Sequence, residues 1–246
     1  MSRLLAEQRF HDGQAAARRL TLDRAETLRF ADADFLDHET WVRPAFARLG
    51  PLAGKTALDY GCGHGMAAVT LARAGAAVTA FDLSPGYVAE ARDRAAANGV
   101  RVECVAADGE HLPFADGSFE AIWGNAILHH LDLPAAAREL WRVLKPGGVA
   151  VFAEPWGGNA LLEFARRRLP YPGKDRTADE RPLTRRDLDP LREVFPRLTW
   201  EGHQLAGMAR RVVPALNLTA FDARLLRVAP ILRNVCRYVV VALPKG

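Results

Sequence analysis

Leu58-Asp59-Tyr60-Gly61-Cys62-Gly63-His64-Gly65 carries three glycines at alternate positions, immediately after the short apolar run 56–60 and before the helical run 66–74. At such a junction the backbone N–H groups of the coming helix have no partner within it and can face a ligand. Glycine allows the tight turn and lets a ligand approach the backbone with no Cβ in the way. The spacing is Gly-x-Gly-x-Gly, with Met66 where a dinucleotide fingerprint needs its third glycine. Asp59, two residues ahead of Gly61, is poorly suited to a pyrophosphate and well suited to the ammonium of an amino-acid moiety.

Outward from this loop the chain alternates between strands and helices. Strands are expected at 77–81, 100–106, 119–123 and 149–153, with helices at 85–98 and 134–144. Ser84-Pro85 supplies an N-cap and a first-turn proline, and Asn98-Gly99 a stop. The alternation predicts an α/β fold with a parallel sheet covered on both faces, and a ligand beyond the carboxyl ends of its strands. Residues 1–50 read as an N-terminal helical lid, 51–155 as the cofactor-binding core, and 156–246 as cap helices and closing strands of the same domain. In that last part 161–169 reads as a helix, 170–182 as a polar loop, 184–195 as a helix capped by Thr184, 198–205 as a strand, 207–233 as broken helices and 238–243 as the closing strand.

The strand ends carry polar residues in a telling order. Asp82 follows the second strand, where a carboxylate can accept hydrogen bonds from a ribose diol. Ala107-Asp108-Gly109 follows the third, Gly124-Asn125 ends the fourth, and Lys145-Pro146-Gly147-Gly148 precedes the fifth. With the glycine loop, these features resemble the class I S-adenosylmethionine-dependent methyltransferases over residues 55–155. The runs Leu112-Pro113-Phe114-Ala115-Asp116-Gly117-Ser118-Phe119 and His129-His130-Leu131 are similar to the small-molecule branch that includes the ubiquinone and menaquinone biosynthesis methyltransferases. The resemblance implies a Rossmann-like three-layer fold with a seven-stranded sheet whose last strand is antiparallel, and S-adenosylmethionine as cofactor. It implies that Gly61, Gly63 and Gly65 pack beneath the methionine part, with Asp59 near its ammonium and Asn125 beside it. Asp82 would hold the ribose, Leu83 the adenine face, and Asp108 and Gly109 the adenine edge. Arg18, on a segment that folds over the cofactor in resembling enzymes, is a candidate for the methionine carboxylate.

A sulfonium methyl is already reactive, so the protein has to align the acceptor and, for a hydroxyl or carbon acid, remove a proton. Glu154, His129 and His130 are the candidate bases at the ends of the fourth and fifth strands, and His11, Trp41 and Trp156 are candidate substrate contacts. The resemblance implies no metal: metal-using O-methyltransferases place a carboxylate ligand at the end of the fourth strand, and here that position reads Trp123-Gly124-Asn125. The expected acceptor is a partly apolar small molecule, with O, C and N acceptors left open.

The totals narrow the alternatives. The chain has 246 residues, 49% hydrophobic and 25% charged, with three cysteines (Cys62, Cys104, Cys236) in no paired spacing. These values fit a globular protein of a reducing cytoplasm, and the charged start MSRLLAEQRFHDGQ does not read as a signal peptide. From Gly207 onward Arg210, Arg211, Arg224, Arg227, Arg233, Arg237 and Lys245 stand against the single acid Asp222. That basic tail leaves open a peripheral membrane contact, an anionic substrate or a solvated face. RNA methylation is the alternative from another class; the chain lacks an Asn-Pro-Pro or Asp-Pro-Pro run, a Pro-Cys nucleophile and an RNA-binding module. A cofactor-binding protein without methyl transfer is the other.

Overall fold

In the computed structural model, which describes residues 3–20, 25–159, 164, 181–207 and 218–246, seven strands form one sheet in the order β3-β2-β1-β4-β5-β7-β6. They are β1 (Thr56–Tyr60), β2 (Ala77–Asp82), β3 (Val102–Ala106), β4 (Phe119–Asn125), β5 (Leu144–Pro155), β6 (Thr199–His203) and β7 (Tyr238–Pro244). β1 to β5 run parallel, and β7 lies antiparallel to both β5 and β6. The expected seven-stranded sheet with its final strand reversed is therefore present. The order reverses between β1 and β4, which opens a crevice at their carboxyl ends.

The helices are α1 (Arg3–Arg19), α2 (Ala25–Leu28), α3 (Asp32–Leu36), α4 (Val42–Ala47), α5 (Met66–Arg73), α6 (Pro85–Ala97) and α7 (Leu133–Val143). Short helices follow at Asp189–Val194 and Thr219–Val228. Ser84 Oγ accepts the Tyr87 N–H and Pro85 sits in the first turn of α6, as the sequence predicts. Thr184 caps a 3-10 turn, Arg185–Leu188, through a capping box with Asp187. The loop 112–118 is fastened by α7: Arg142 donates to the carbonyls of Leu112 and Phe114, and Glu139 accepts the Leu112 N–H.

Each face of the sheet has its own apolar layer. One gathers Phe35, Trp41, Phe46, Trp123 and Val151, the other Leu58, Tyr60, Phe152, Trp156 and Phe195. Residues expected to belong to an N-terminal lid thus divide in two. The α3–α4 part buries Phe35, Trp41 and Phe46 in the core, and α1 lies across the ligand end of the sheet. The expected helix at 161–169 and the loop at 170–182 fall almost wholly outside the described residues, as does 208–217. Among the basic residues of the C-terminal part, Arg237 is bonded to Gln204, and the Lys245 ammonium donates to the carbonyls of Trp141 and Leu144. Among the described residues no helix is long and apolar enough to cross a membrane.

Candidate active site

A cleft of about 210 Å3 opens where β1, β2, β3 and β4 end, roofed by α1. Of the predicted cofactor residues, Gly61, Gly63, Asp82, Leu83, Asp108, Gly109 and Asn125 line it. Of the predicted catalytic and substrate residues, His11 and His130 line it as well.

Strand β1 delivers the chain to the glycine loop, where Gly61, Gly63 and Gly65 take φ of 70°, 47° and 81°, a region other residues enter at a cost. The three are not equivalent. A Cβ on Gly63 would meet nothing within 4 Å, so the loop is open to a ligand there. A Cβ on Gly61 would fall 2.7 Å from Ile127. A Cβ on Gly65 would fall 2.7 Å from Ala91 on α6. Gly65 therefore serves the packing of the start of α5 on α6 and is not among the cleft-lining residues.

Asp82 ends β2 with its carboxylate tied at both oxygens: Oδ2 accepts the Gly63 N–H and Oδ1 the Ser84 N–H, each at 2.9 Å. Each oxygen retains capacity for a further donor, as a diol requires. Burial pushes this carboxyl up from its ordinary value, against the pull of its two backbone donors. Asp59 is wholly buried behind the loop, outside the residues that line the cleft, and burial pushes it up to about 7. Its Oδ2 has no hydrogen-bond partner, which an ammonium group would supply. At the far side Asp108 Oδ1 accepts the Glu110 N–H, and the Tyr60 hydroxyl donates to the Gly109 carbonyl at 2.6 Å. Orphaned Asp59, twice-tied Asp82 and open Gly63 fit an amino-acid nucleoside such as S-adenosylmethionine.

The end of β4 holds the predicted bases. Ala126 takes φ 54°, a left-handed turn that aims the next two N–H groups at Glu154. Glu154 Oε1 accepts both, from Ile127 and Leu128, and Oε2 meets His129 Nδ1 at 2.7 Å. Glu154 is fully buried and is not among the cleft-lining residues. Its carboxylate fastens the turn rather than facing the cleft. Of the pair, His130, tilted 39° to His129 with ring centroids 4.2 Å apart, is the one that lines the cleft.

Three further expectations meet a different arrangement. Trp41 is 2% exposed and packs on Tyr238, ring centroids 4.8 Å apart, so it is part of the core. Trp156 is 1% exposed, donates its indole N–H to the Asn234 carbonyl and stacks on Trp200. Arg18 is turned to Glu90 through Nε and one terminal nitrogen.

Other cleft residues give little signal in the sequence: Arg3, Glu7 and Gln14 on α1, His64 in the glycine loop, and Tyr87 on α6. Burial holds the His64 imidazole down at about 4. The i, i+4 pair Glu7 and His11 was the available clue on α1. Glu7, His11 and His130 form a cluster of possible metal-ligand side chains among the described residues.

Comparison with known proteins agrees with this geometry. Residues 58–152 match the family described as "Methyltransferase domain". The chain is 40% identical over 120 residues to Methyltransferase GfsG of Streptomyces halstedii, covering 47% of this chain and 43% of that protein. It is 35% identical over 145 residues to a demethylmenaquinone methyltransferase of Corynebacterium glutamicum, covering 55% and 60%. The chain thus spans about half the length of the curated relatives it matches. Among solved structures, the [4+2]-cyclase SpnF superposes with a TM-score of 0.57 at 25% identity, covering 85% of this chain and 83% of that one. The geranyl diphosphate C-methyltransferase of Streptomyces coelicolor, at 20% identity, gives 0.57 over 83% and 80% and shares the fold. Residues 58–152 thus carry the similarity to the methyltransferase-domain family, on a doubly wound sheet whose fold these solved structures share.

Proposed function

We propose that the chain transfers a methyl group from S-adenosylmethionine to a partly apolar small-molecule acceptor, without a metal ion, and that His130 is the base where the acceptor must lose a proton. The observation that carries this reading is that one cleft joins the cofactor determinants, Gly63, Asp82 and Asp108, to an imidazole, His130. When bound, the cofactor supplies an electrophilic methyl group whose departure leaves a neutral thioether.

The chain's own residues have three tasks. Asp59 receives the ammonium, Asp82 the ribose hydroxyls, and Asp108 with Gly109 the adenine edge. Asn125 and Ile127 form the floor, and α1 excludes water, which strengthens every charge interaction inside. His130 accepts the acceptor proton as the new bond to carbon forms. Phe81, Leu83, Ile127 and Leu131 give the walls an apolar character, and similarity to the demethylmenaquinone methyltransferases supports an acceptor with a large apolar part.

The test is release of S-adenosylhomocysteine from the full chain with a panel of quinols, phenols, secondary alcohols and amines, with total tRNA as a separate arm. Turnover on one of the small molecules is expected, and EDTA should leave it intact. Methylation of tRNA alone, or turnover abolished by EDTA and restored by magnesium, would contradict the proposal. A second reading, a protein that binds the cofactor and catalyses another reaction, draws on the likeness to the [4+2]-cyclase; cofactor binding without methylation across the panel would favour it.

A further inference from the structure

Helix α1 carries a carboxylate to the base. Glu7 and His11 stand one turn apart on α1, and Glu7 Oε2 lies 3.5 Å from His11 Nε2 and 3.3 Å from His130 Nδ1. The rings of His11 and His130 meet edge to face with centroids 5.5 Å apart. His130 also lies against His129, centroids 4.2 Å apart with the rings tilted by 39°, and Glu154 holds His129. His130 thus neighbours two imidazoles, with the Glu7 carboxylate 3.3 Å from its Nδ1. The helix is docked at the same place by Arg3, which donates to the His130 carbonyl and to Glu110. Glu7 is only 8% exposed, and a carboxylate so placed has to be matched by donors. On this arrangement ring nitrogens of the two imidazoles face its Oε2.

We propose that Glu7 is the positioning residue of His130, fixing the proton on Nδ1 so that Nε2 presents its lone pair to the acceptor. The inference rests on His130 being the base. Because Glu7 rides on α1, the base is complete only while that helix lies over the cleft, so closure and proton removal are coupled. The balance is simple. The acceptor's proton moves to Nε2, its electron pair forms the bond to the methyl carbon, and the pair of the broken carbon–sulfur bond stays on sulfur. Glu7 takes no proton and accepts a hydrogen bond from Nδ1 once the pair tightens around substrate, as in other carboxylate–histidine pairs. A merely oriented pair is often long before substrate arrives, which suits the 3.3 Å separation.

The same three side chains suggest a rival. Ligand atoms of a tetrahedral zinc site at bond lengths of about 2.0–2.1 Å sit roughly 3.3–3.4 Å apart, close to the two distances found here. The experiment therefore distinguishes a hydrogen-bonded pair from a metal site. The full chain, labelled with 15N-histidine and saturated with S-adenosylhomocysteine, is followed by long-range proton–nitrogen correlation, with His130 assigned from His130→Gln. Expected are an Nδ1–H tautomer for His130 in the unaltered chain, loss of that preference in Glu7→Gln, and partial return in Glu7→Asp. Affinity for S-adenosylhomocysteine should stay within about twofold in both variants. An Nε2–H tautomer in the unaltered chain, or a His130 signal indifferent to Glu7→Gln, would overturn the proposal. So would zinc titrated into the chelator-treated chain binding at one equivalent and shifting His11 and His130 together. Should Glu7→Gln fail to fold, the tautomer of the unaltered chain and the Glu7→Asp variant still decide. The measurement needs no turnover, so a missing acceptor would count against the proposed function and leave this result standing.

Discussion

His129 Nδ1 lies 2.7 Å from Glu154 Oε2, while Oε1 of the same buried carboxylate accepts the N–H groups of Ile127 and Leu128. Those contacts lock the turn that presents the neighbouring His130. Glu154→Ala would leave two backbone donors and an imidazole without an acceptor in the interior, at about 1–3 kcal/mol for each group left unsatisfied. A loss of about 3 kcal/mol, the lower end of that sum, corresponds to a melting temperature lower by roughly 6–12 °C in a chain of this size. Calorimetric scanning should show that loss. An unchanged melting temperature with abolished turnover would instead make Glu154 a group that meets substrate.

Asp82 ties the end of β2 to the glycine loop through the Gly63 N–H, and the proposed function has it hold the ribose. Removing its carboxylate deletes charge-assisted hydrogen bonds worth roughly 1.5–3 kcal/mol each, so Asp82→Ala should weaken S-adenosylhomocysteine binding about tenfold or more. The same change strands the Gly63 and Ser84 N–H groups, so a modest loss of stability should accompany it. Isothermal calorimetry and thermal melts on one preparation measure both. Native affinity in Asp82→Ala would remove the ribose from this position.

The two glycines of one motif should part company on substitution. Gly65→Ala forces a Cβ to within 2.7 Å of Ala91 at a φ of 81°, and overpacking of that kind costs typically about 1–3 kcal/mol before any backbone strain. Gly63→Ala meets no neighbouring atom within 4 Å, so beyond the strain of its φ it should act mainly by intruding on the ligand. Comparing the loss of melting temperature with the loss of cofactor affinity in the two variants checks this. Equal effects on both quantities would contradict the division.

The residues legible in the sequence were those whose role follows from local position. Asp82 and Asp108 close parallel strands, and a strand end in an open α/β sheet points to the ligand. Gly61, Gly63 and Gly65 look alike in the sequence, and only the approach of Ala91 from another helix separates the third from the first two. Trp41 and Trp156, candidate substrate contacts by sequence, lie in the core for a similar reason. An indole reads equally as a binding wall or as core, and Tyr238 and Trp200, remote in sequence, decide for core. Glu154 carried the right residue type at the right strand end, yet the left-handed Ala126, which no composition rule foretells, turns the backbone donors onto it. Glu7 gave the weakest signal of all, because its meeting with His130 depends on how α1 docks.

If Asp59 receives the cofactor's ammonium, as proposed, cofactor binding should depend on pH. Burial raises its folded-state pKa to about 7, against about 3.9 in an unfolded chain. The fold therefore favours the protonated carboxyl, and this contribution to stability is complete below pH 4 and is lost as pH rises through about 7. Asp59→Asn stays neutral and escapes the loss, so the cofactor-free variant should gain on the unaltered chain by roughly 2–4 kcal/mol at pH 8 and little at pH 4. Denaturant melts at the two pH values measure this difference. Binding should move in the opposite sense. An ammonium beside Asp59 Oδ2, which is otherwise without a partner, favours the carboxylate, so binding near pH 6 should expel a proton. Affinity for S-adenosylhomocysteine should accordingly fall between pH 7 and pH 5 in the unaltered chain, and fall much less in Asp59→Asn. Calorimetry at pH 6 in buffers of differing ionisation enthalpy counts the proton directly. Proton uptake on binding, or identical pH profiles for the two chains, would place the ammonium elsewhere in the cleft.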